Sequence, residues 1–352
     1  MFPRASIIIV NYNAGEKLNA CLRSLTQDRH PDDEIIVVDN ASTDGSVNGL
    51  ERAFPDVRFL RSVVNLGFAG GNNLAVQHAT GEYLAFLNPD TVATPGWLDA
   101  LIDALQRSPQ IGLATSKILL LKQPDRINTC GNDMHYTGLT LCRGMGMPAS
   151  SFSEPEEVTA VSGAAFAMRR DLFEQLGGFD ETFFLYMEDT DLSLRARLAG
   201  YHCRYVPSSV VYHDYTLRFG PNKTFYQERN RYMMLLKALH WRTLAAMLPA
   251  LLLSEIVTWG FTLLREPRRV GNKLNAYAWV AKHWREVSIR RAGAQALRGC
   301  CDYDVLSNCS HQLHFEQVEP AFLTRHIHIV FDGMFCILHH IVLTAISEAQ
   351  SN

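Results

Sequence analysis

Short apolar runs rich in β-branched residues alternate with segments of helical periodicity along the N-terminal third of the chain. The runs predict four strands, and the segments between them predict four helices. The predicted strands are residues 6–10, 34–39, 57–63 and 82–87, and the predicted helices are residues 16–25, 46–54, 69–79 and 96–105. This alternation favours an α/β fold of βαβ units, with a mainly parallel sheet flanked by helices.

Polar clusters follow three of the predicted strands at the points where the strands end. They are residues 11–13, 39–44 and 88–90, which we call the rim. Runs such as residues 7–10 are apolar throughout, as expected for strands covered on both faces. Ligands of such sheets bind beyond the carboxyl ends of the strands, so the rim is the predicted binding site.

The pattern loosens after the predicted α/β units. Residues 128–158 are rich in Gly, Met, Pro and Ser, which predicts a long loop near the rim. The elements predicted next are a strand over 161–168, a short helix ending at Gly177 and Gly178, and a helix over 188–198.

Residues 241–352 are predicted as a mostly helical region, separate from an α/β domain over 1–240. Within this region, residues 244–264 form an apolar run long enough to span a bilayer, but Pro249 and Glu255 interrupt it. Because a central charge is costly in lipid, the run favours helices that lie on a membrane or pack against the domain. Flanking arginines suit anionic lipid headgroups.

Composition changes this picture mainly by exclusion. The chain has 352 residues, of which 47% are hydrophobic and 20% charged, and its formal net charge is −3. These values fit a globular protein and give no overall attraction to nucleic acid. The eight cysteines form no CxxC pair, which is typical of reduced thiols, and the first residues do not resemble a signal peptide. We therefore expect a cytoplasmic protein.

Asp39 closes a predicted buried strand and opens a turn rich in Asn, Ser and Asp. Its carboxylate could accept a hydrogen bond from the imide N–H of a uracil or thymine ring. The alternative is a local turn, in which Thr43 or Asp44 caps the next helix without any ligand. Spacing alone leaves both readings open.

Asp90 ends the sequence Asn88-Pro89-Asp90 after the predicted strand 82–87. A carboxylate there could hold Mg²⁺ or Mn²⁺, and the cation would bridge the phosphates of a nucleotide sugar. The alternative is a proline turn in which Asp90 caps the following helix.

The segment 186–191 places three carboxylates, including Glu188 and Asp189, at a predicted helix start. The helix dipole alone favours acidic residues in a first turn. The functional alternative is a general base that takes a proton from a sugar hydroxyl, with a pKa raised by apolar neighbours such as Phe184 and Met187.

Two groups of histidine and cysteine raise the question of a metal site. His213 lies at the predicted end of a strand, where a single histidine is most often structural. The group Cys300, Cys301, Cys309, His311 and His314 fits no standard zinc spacing, which disfavours a zinc site.

A glycine-rich stretch precedes the predicted helix 69–79. Residues 66–71 match neither GxGxxG nor a P-loop, which removes the main support for a dehydrogenase or an ATPase. The helix start still offers backbone N–H groups to an anion. Alternatively, Asn72 and Asn73 cap this helix.

The order of these motifs carries a resemblance that no single motif does. The motifs are SIIIVNYN at 6–13, VVDNASTDG at 37–45, NLGFAGGNN at 65–73, FLNPD at 86–90, GGFDE at 177–181 and EDTD at 188–191. Residues 5–240 thereby resemble family-two glycosyltransferases of GT-A fold, and within that family the rhamnosyltransferase-type enzymes of bacterial surface-polysaccharide assembly.

The resemblance implies an inverting transfer from a dTDP- or UDP-sugar to a saccharide or a lipid-linked acceptor. It implies Asp189 as general base, supported by Glu188, and Asp90 as metal ligand, with His213 near the metal or diphosphate. The implied donor-binding residues are Val10, Asn11, Tyr12, Asp39, Asn65, Gly70, Asn73, Asn88 and Arg229.

Two departures from the family pattern bear on the chemistry. Asn88 stands where the family's metal motif has its first carboxylate, and no Trp accompanies Arg229 as in processive synthases. Two rival classes remain, a sugar-1-phosphate nucleotidyltransferase and a non-catalytic nucleotide-sugar-binding module. The first would need a glycine-rich N-terminal loop with Arg and Lys, which residues 11–16 lack.

Overall fold

A computed structural model describes residues 4–27, 29–215, 222–265, 267–313 and 321–348 of the chain. It divides the chain into two compact units. The first unit comprises Met1–Asn132, Cys142–Ala196 and Tyr201–Leu217, and the second comprises Asp133–Leu141, Arg197–Gly200 and Arg218–Asn352.

The N-terminal part of the first unit alternates strands and helices. Its strands are β1 (Ala5–Asn11), β2 (Asp33–Asn40), β3 (Val57–Ser62), β4 (Tyr83–Leu87) and β5 (Thr91–Ala93). Its helices are α1 (Glu16–Gln27), α2 (Leu50–Ala53), α3 (Gly67–Val76) and α4 (Trp97–Arg107). The second helix is shorter than the predicted 46–54, because Gly49 adopts a left-handed conformation (φ 80°) and the helix starts only after it.

The next part of the chain adds strands where a long loop was predicted. The strands are β6 (Ile111–Leu120), β7 (Gln123–Thr129), β8 (Asn132–Met134), β9 (Thr140–Cys142), β10 (Glu156–Val158), β11 (Ala165–Arg169) and β12 (His202–His213). The helices are α5 (Arg170–Gln175) and α6 (Glu188–Leu198). The loop prediction for 128–158 is therefore wrong in part, because three short strands, β8, β9 and β10, lie within this segment.

One mixed sheet organises the first unit, in the order β10-β12-β6-β11-β4-β1-β2-β3. Strands β4, β1, β2 and β3 are parallel, and β6 is parallel to β12, whereas β11 is antiparallel to both of its neighbours. The prediction of an α/β fold with a mainly parallel sheet flanked by helices is confirmed.

Both faces of the sheet are covered, as apolar parallel strands require. On one face Ile7 and Ile9 belong to a core cluster with Leu18 and Leu22 of α1, and that cluster also includes Leu101 of α4. The other face holds an aromatic cluster around Phe86, whose ring stacks on Phe166 with centroids 4.8 Å apart. Alternate side chains of each strand therefore face different helical layers, and the strand ends carry the polar residues.

The second unit is mostly helical among the described residues, as predicted. Its helices are α7 (Lys223–Ala238), α8 (Trp241–Ala246), α9 (Leu248–Arg265), α10 (Val270–Lys282), α11 (Trp284–Ala296), α12 (Asp302–Leu306) and α13 (Ala321–Glu348). The apolar run 244–264 is divided between α8 and α9, and Pro249 lies in the first turn of α9, where a proline is tolerated.

Glu255, the charge that interrupts the apolar run, is paired inside the second unit. Its carboxylate forms an ion pair with Arg231 and lies 3.3 Å from Nζ of Lys273. Glu228 joins the same network, 2.8 Å from Arg231 and 3.2 Å from Lys273. The side chains of Arg231 and Lys273 are 1% and 0% exposed, so this network ties α7, α9 and α10 together.

A different helix meets the length and composition expected of a membrane span. Within the described residues, Ile329–Glu348 of α13 has a mean hydropathy of 1.9, and 22% of that segment is buried. The sequence analysis considered only 244–264 as a run long enough to span a bilayer, and it did not identify 329–348 as another.

Candidate active site

The ends of β1 and β2 lie side by side and are joined by side-chain hydrogen bonds. In the parallel register Asn11 is opposite Asp39. The amide of Asn11 donates to the hydroxyls of Ser42 and Ser46, both at 2.9 Å. Asp39 accepts from the backbone N–H of Ser42 at 3.1 Å, so its carboxylate also shapes the turn that was predicted as its alternative role.

The residues around Asn11 divide into a packed and an exposed part. Tyr12 is 51% exposed, which leaves its ring available to a ligand. Val10 packs against the start of α3 so closely that a Cβ on Gly71 would come within 2.7 Å of its Cγ1. A glycine in α3 is therefore what allows this helix to approach β1.

Asn40, which the sequence reading passed over, holds the glycine-rich loop before α3. Its amide donates to Oδ1 of Asn65 at 3.1 Å and to the carbonyl oxygen of Gly67 at 3.0 Å. The backbone N–H of Leu66 donates back to Asn40 at 2.8 Å. Asn65 in turn accepts from the N–H of Gly67 at 2.8 Å, so both asparagines order the loop.

Asn73, which was predicted to bind the donor or to cap α3, bonds to the segment that precedes α6, and its contact with the donor stays a prediction. Its amide donates to the carbonyl of Phe179 at 2.9 Å and to Glu181 at 3.0 Å, and it accepts from the N–H of Phe179 at 3.0 Å. Asn72 donates to the carbonyl of Phe68 within the helix. The capping alternative is therefore wrong for both, because α3 begins after Leu66 without a side-chain cap.

Asp189 lies in the first turn of α6 with both carboxylate oxygens hydrogen-bonded. Oδ2 accepts from the backbone N–H of Gly163 at 2.8 Å and from the amide of Asn132 at 3.1 Å. Oδ1 accepts from the N–H of Thr190 at 2.7 Å. Asn132 also donates to the carbonyl of Val161, so its amide is fixed while it holds Asp189. The residue remains half-buried, and its orientation is set by these contacts.

Glu188 differs sharply from its neighbour. It is 6% exposed, and its Oε2 is buried without a hydrogen-bond partner. Burial, together with the charge of Asp189, raises the pKa of Glu188 well above its ordinary value. Burial also raises the pKa of Asp189, although hydrogen bonds from Gly163 and Thr190 oppose the shift. A first-turn dipole effect alone does not account for an orphaned buried carboxylate oxygen.

Asp90 and His213 are brought together although 123 positions separate them. Nε2 of His213 is 3.2 Å from Oδ1 of Asp90, and its Nδ1 is 2.8 Å from Oδ1 of Asn128. The contact arises because the end of β12 pairs with β5, directly after Asp90. Burial acts to raise the pKa of Asp90, but the hydrogen bond with His213 and the charge of Lys17 outweigh it, so the pKa is lowered.

One short segment links the loops of Asp90 and Asp189. The N–H of Asn88 donates to the carbonyl of Ala164 at 3.0 Å, and the N–H of the preceding residue, Gly163, donates to Asp189. Asp39 is the penultimate residue of β2, which is separated from β4 by β1 in the sheet. The three carboxylates predicted to share a site therefore lie at one edge.

The metal readings have different outcomes. Among the described residues, no group of three or more His, Cys, Asp or Glu side chains is placed to hold a metal ion. Asp90 and His213 form a pair of potential ligands only. In the cysteine group, the thiol of Cys300 donates to the carbonyl of Arg197, and the thiol of Cys309 donates to that of Val305. His314 of that group lies outside the described residues.

Arg229 belongs to the second unit. Its guanidinium stacks over the rings of Phe225, Tyr226 and Trp279, with the carbon 4.9 to 5.2 Å from the ring centroids. The residue is 6% exposed. Its predicted contact with the donor stays a prediction.

Backbone conformations that side chains rarely adopt are concentrated before α6. Phe184, Tyr186 and Met187 have φ values of 61°, 69° and 67°. Such conformations cost of order 1–3 kcal/mol each and often mark functional sites. The N–H of Phe68 donates to the carbonyl of Phe184 at 2.7 Å, and a Cβ on Gly67 would lie 2.3 Å from that oxygen. The glycine-rich loop thus clamps this strained segment, which we call the 184–187 turn.

Comparison with known proteins agrees with this geometry. Residues 6–177 match the family described as Glycosyl transferase family 2. An N-acetylglucosaminyl-diphospho-decaprenol L-rhamnosyltransferase of Mycobacterium tuberculosis is 31% identical over 232 residues, which cover 59% of the chain and 75% of that protein. The chain belongs to glycosyltransferase family 2.

A further relative and two solved structures are also similar to the chain. The O-antigen biosynthesis protein RfbC of Myxococcus xanthus is 32% identical over 209 residues, covering 56% of the chain and 16% of that protein. The crystal structure of S. aureus TarS 1–349 matches 99% of the chain and 91% of TarS with a TM-score of 0.56 at 16% identity. GalNAc-T7, crystallised with UDP, GalNAc and Mn²⁺, matches 67% of the chain and 48% of that protein, also at 0.56 and with 18% identity. These structures establish the GT-A fold of this family 2 glycosyltransferase.

Proposed function

We propose that this glycosyltransferase moves a sugar, rhamnose by its resemblance, from a dTDP- or UDP-linked donor to a saccharide or lipid-linked acceptor with inversion. The proposal rests on the link between Asp90 and Asp189, which runs through Gly163, Ala164 and Asn88. This link lies at the carboxyl ends of the parallel strands, where Asp39 is located near the end of β2. A donor diphosphate at Asp90 and an acceptor hydroxyl at Asp189 would then lie near one anomeric carbon. Family membership favours this function over a nucleotidyltransferase or a binding module.

Asp189 is proposed as the general base. Gly163 and Asn132 hold Oδ2 in place, so the carboxylate is oriented before the acceptor hydroxyl arrives. Burial raises the pKa of Asp189, which makes its carboxylate a stronger base than that of an exposed aspartate. The buried Oε2 of the preceding residue, Glu188, has no hydrogen-bond partner. The raised pKa of Glu188 favours its protonated form, which would limit the negative charge near Asp189.

Asp90 and His213 are proposed to hold a divalent cation, Mg²⁺ or Mn²⁺. A carboxylate oxygen and a ring nitrogen 3.2 Å apart fit a cation that takes its remaining ligands from phosphate and water. The cation would neutralise charge on the departing diphosphate. The Mn²⁺ in the GalNAc-T7 structure supports a cation in this fold.

Donor recognition is assigned to the rim and the glycine-rich loop. The exposed ring of Tyr12 would lie against the base, whose imide edge Asp39 would read. The remaining residues of the first unit proposed to contact or shape the donor site are Val10, Asn11, Asn65, Gly70, Asn73 and Asn88. The side-chain oxygen of Asn65 accepts hydrogen bonds from Asn40 and Gly67, and the side chain of Asn73 bonds to Phe179. These two residues are therefore proposed to shape the site.

Residues 241–352 are proposed as the region that meets the membrane carrying a lipid-linked acceptor, at its cytoplasmic face. In α9, Leu248, Leu252 and Ile256 recur at every fourth position and are 56%, 65% and 63% exposed. Arg268 and Arg269 follow α9 and suit anionic headgroups. An apolar stripe with basic neighbours fits peripheral binding.

Exchange of Asp189 for Asn tests the proposed chemistry. We expect Asp189→Asn to bind UDP or dTDP as the unmodified protein does, while kcat for sugar transfer falls about 10² to 10⁴-fold, the usual contribution of a general base. Donors would first be found by thermal shift with a panel of nucleotide sugars, with and without Mn²⁺. Asp103→Asn, on an exposed position of α4, is the matched control. Unchanged turnover of Asp189→Asn would refute the assignment.

A further inference from the structure

A second carboxylate, that of Asp214, lies beside Asp90 and forms ion pairs with two lysines. The N–H of Asp214 donates to the carbonyl oxygen of Asp90 at 2.9 Å, so the two residues are held next to each other. Nζ of Lys17 lies 3.0 Å from Oδ2 of Asp214 and 3.8 Å from Oδ2 of Asp90. Nζ of Lys122 lies 2.9 Å from Oδ1 of Asp214. Lys17 thus bridges the two carboxylates.

The rim itself positions Lys17. The residue belongs to the first turn of α1, and the loop before this helix is tied to the turn after β2. The N–H of Gly15 donates to Asp44 at 2.9 Å, and Asn13 accepts from the N–H of Thr43 at 2.8 Å. The lysine side chain is 46% exposed, so its ammonium group reaches Asp90 and remains open to solvent.

The ammonium group of Lys17 can supply positive charge to balance a diphosphate bound near Asp90. A nucleotide-sugar diphosphate brings negative charge to a place where Asn88 replaces a carboxylate, which leaves one acidic ligand for a cation. Cation sites with fewer charged ligands bind more weakly. A lysine is a flexible point charge that pairs well with phosphate oxygens.

We propose that Lys17 binds the donor diphosphate and supplies part of the positive charge that the divalent cation supplies in this fold. In the free protein Asp90 and Asp214 share its ammonium group, and Asp214 keeps it close to the site. On donor binding the group turns to a phosphate oxygen. This inference rests on the proposed function, because it takes the diphosphate to lie at Asp90.

Calorimetric titration of UDP and dTDP tests the proposal without relying on turnover. The variants are Lys17→Met, Lys17→Arg and the matched control Lys122→Met, whose lysine pairs with the same Asp214. In EDTA, we expect Lys17→Met to bind about 10-fold more weakly than the unmodified protein, as loss of one charged contact predicts. With saturating Mn²⁺ the loss should shrink to about threefold or less, because the cation then neutralises the diphosphate. Lys17→Arg should stay within about threefold and Lys122→Met within about twofold in both buffers.

Each contrary result has a distinct meaning. Equal affinity of Lys17→Met and the unmodified protein in EDTA would overturn the role of Lys17, as would an equal loss in Lys122→Met. Binding by the unmodified protein only in the presence of Mn²⁺ would overturn it too. If the unmodified protein bound no nucleoside diphosphate in either buffer, the proposed function would fail and this inference with it. Thermal unfolding of each variant confirms that it is folded.

Discussion

Asn132 is the residue whose importance the structure reveals most directly. Its single amide group reaches Oδ2 of Asp189 and the carbonyl of Val161, so it fixes the proposed base to the neighbouring backbone. No local sequence pattern predicts this role of Asn132, because the residue lies in the segment predicted as a loop. A hydrogen bond to an ionised carboxylate also favours the charged form.

Loss of this amide should slow turnover and shift its pH dependence. In Asn132→Ala we expect kcat to fall about 10-fold, as misplacement of a base predicts, with nucleotide affinity unchanged. Because the variant no longer stabilises the Asp189 carboxylate, the acid limb of the kcat profile should move to higher pH. Steady-state kinetics across pH measures both effects, and exposed Asn48→Ala serves as control. A lower kcat with an unmoved acid limb would mean that Asn132 does not act through Asp189.

Glu188 links the site to the stability of the whole fold. Its pKa is raised in the folded protein, so the folded state holds a proton that the unfolded chain releases above pH 4.5. The contribution of Glu188 to the free energy of unfolding is therefore present below that pH and is lost as the pH rises through the raised pKa. Glutamine does not titrate, so Glu188→Gln should not lose stability in this way.

We expect Glu188→Gln to gain stability relative to the unmodified protein as the pH rises from about 5 to about 8. Urea unfolding at these two pH values gives the comparison. A constant difference between Glu188→Gln and the unmodified protein at both pH values would show that Glu188 is ionised when folded.

Among the elements, the strands and helices of the βαβ units were predictable because their period follows from burial on both faces. Helix α6 agrees with its predicted bounds, 188–198. One error has a local cause, since Gly49 delays the start of α2. The other error concerns short strands such as β10, which pairs with the distant β12. The bridge of Asn132 to Ala160 is one such contact.

The packing of α7, α9 and α10 depends on a buried ion network that gives an element-scale prediction. Glu255→Ala would leave Arg231 and Lys273 with less compensation, and breaking a buried pair costs about 3–5 kcal/mol. We expect a loss of that order in the free energy of unfolding, measured by urea denaturation. Glu51→Ala, which breaks the exposed pair with Arg61, should cost about 1 kcal/mol or less. Similar losses in the two variants would show that the network adds no stability.

On the scale of the whole molecule, the sequence order of the motifs indicated one edge of the sheet, and the structure places Asp39, Asp90 and Asp189 there. What the sequence could not indicate are side chains that act only through tertiary contacts. Lys17, Asn40 and Asn132 belong to this class. None stands in a spacing pattern with its partners at the candidate site, which lie at least 25 positions away in the chain.

The proposed association with a membrane is tested on the whole molecule. We expect the intact protein to float with vesicles containing anionic lipid and less with neutral vesicles, because arginines near α9 add to apolar burial. The pair Leu252→Glu and Ile256→Glu should abolish flotation, whereas Val63→Glu, at a 95% exposed position of the first unit, should not. Equal flotation of all three proteins would remove α9 from the membrane contact.

The 184–187 turn has a consequence for how this enzyme can change. Glycine at Phe184, Tyr186 or Met187 would relieve an unfavourable backbone conformation, so each exchange offers a more heat-tolerant chain. The same exchange would loosen the start of α6, which carries the acidic pair. Variants selected only for thermal stability should therefore acquire glycines in this turn and lose sugar-transfer activity. The turn thus limits the thermal stability that an active variant can reach.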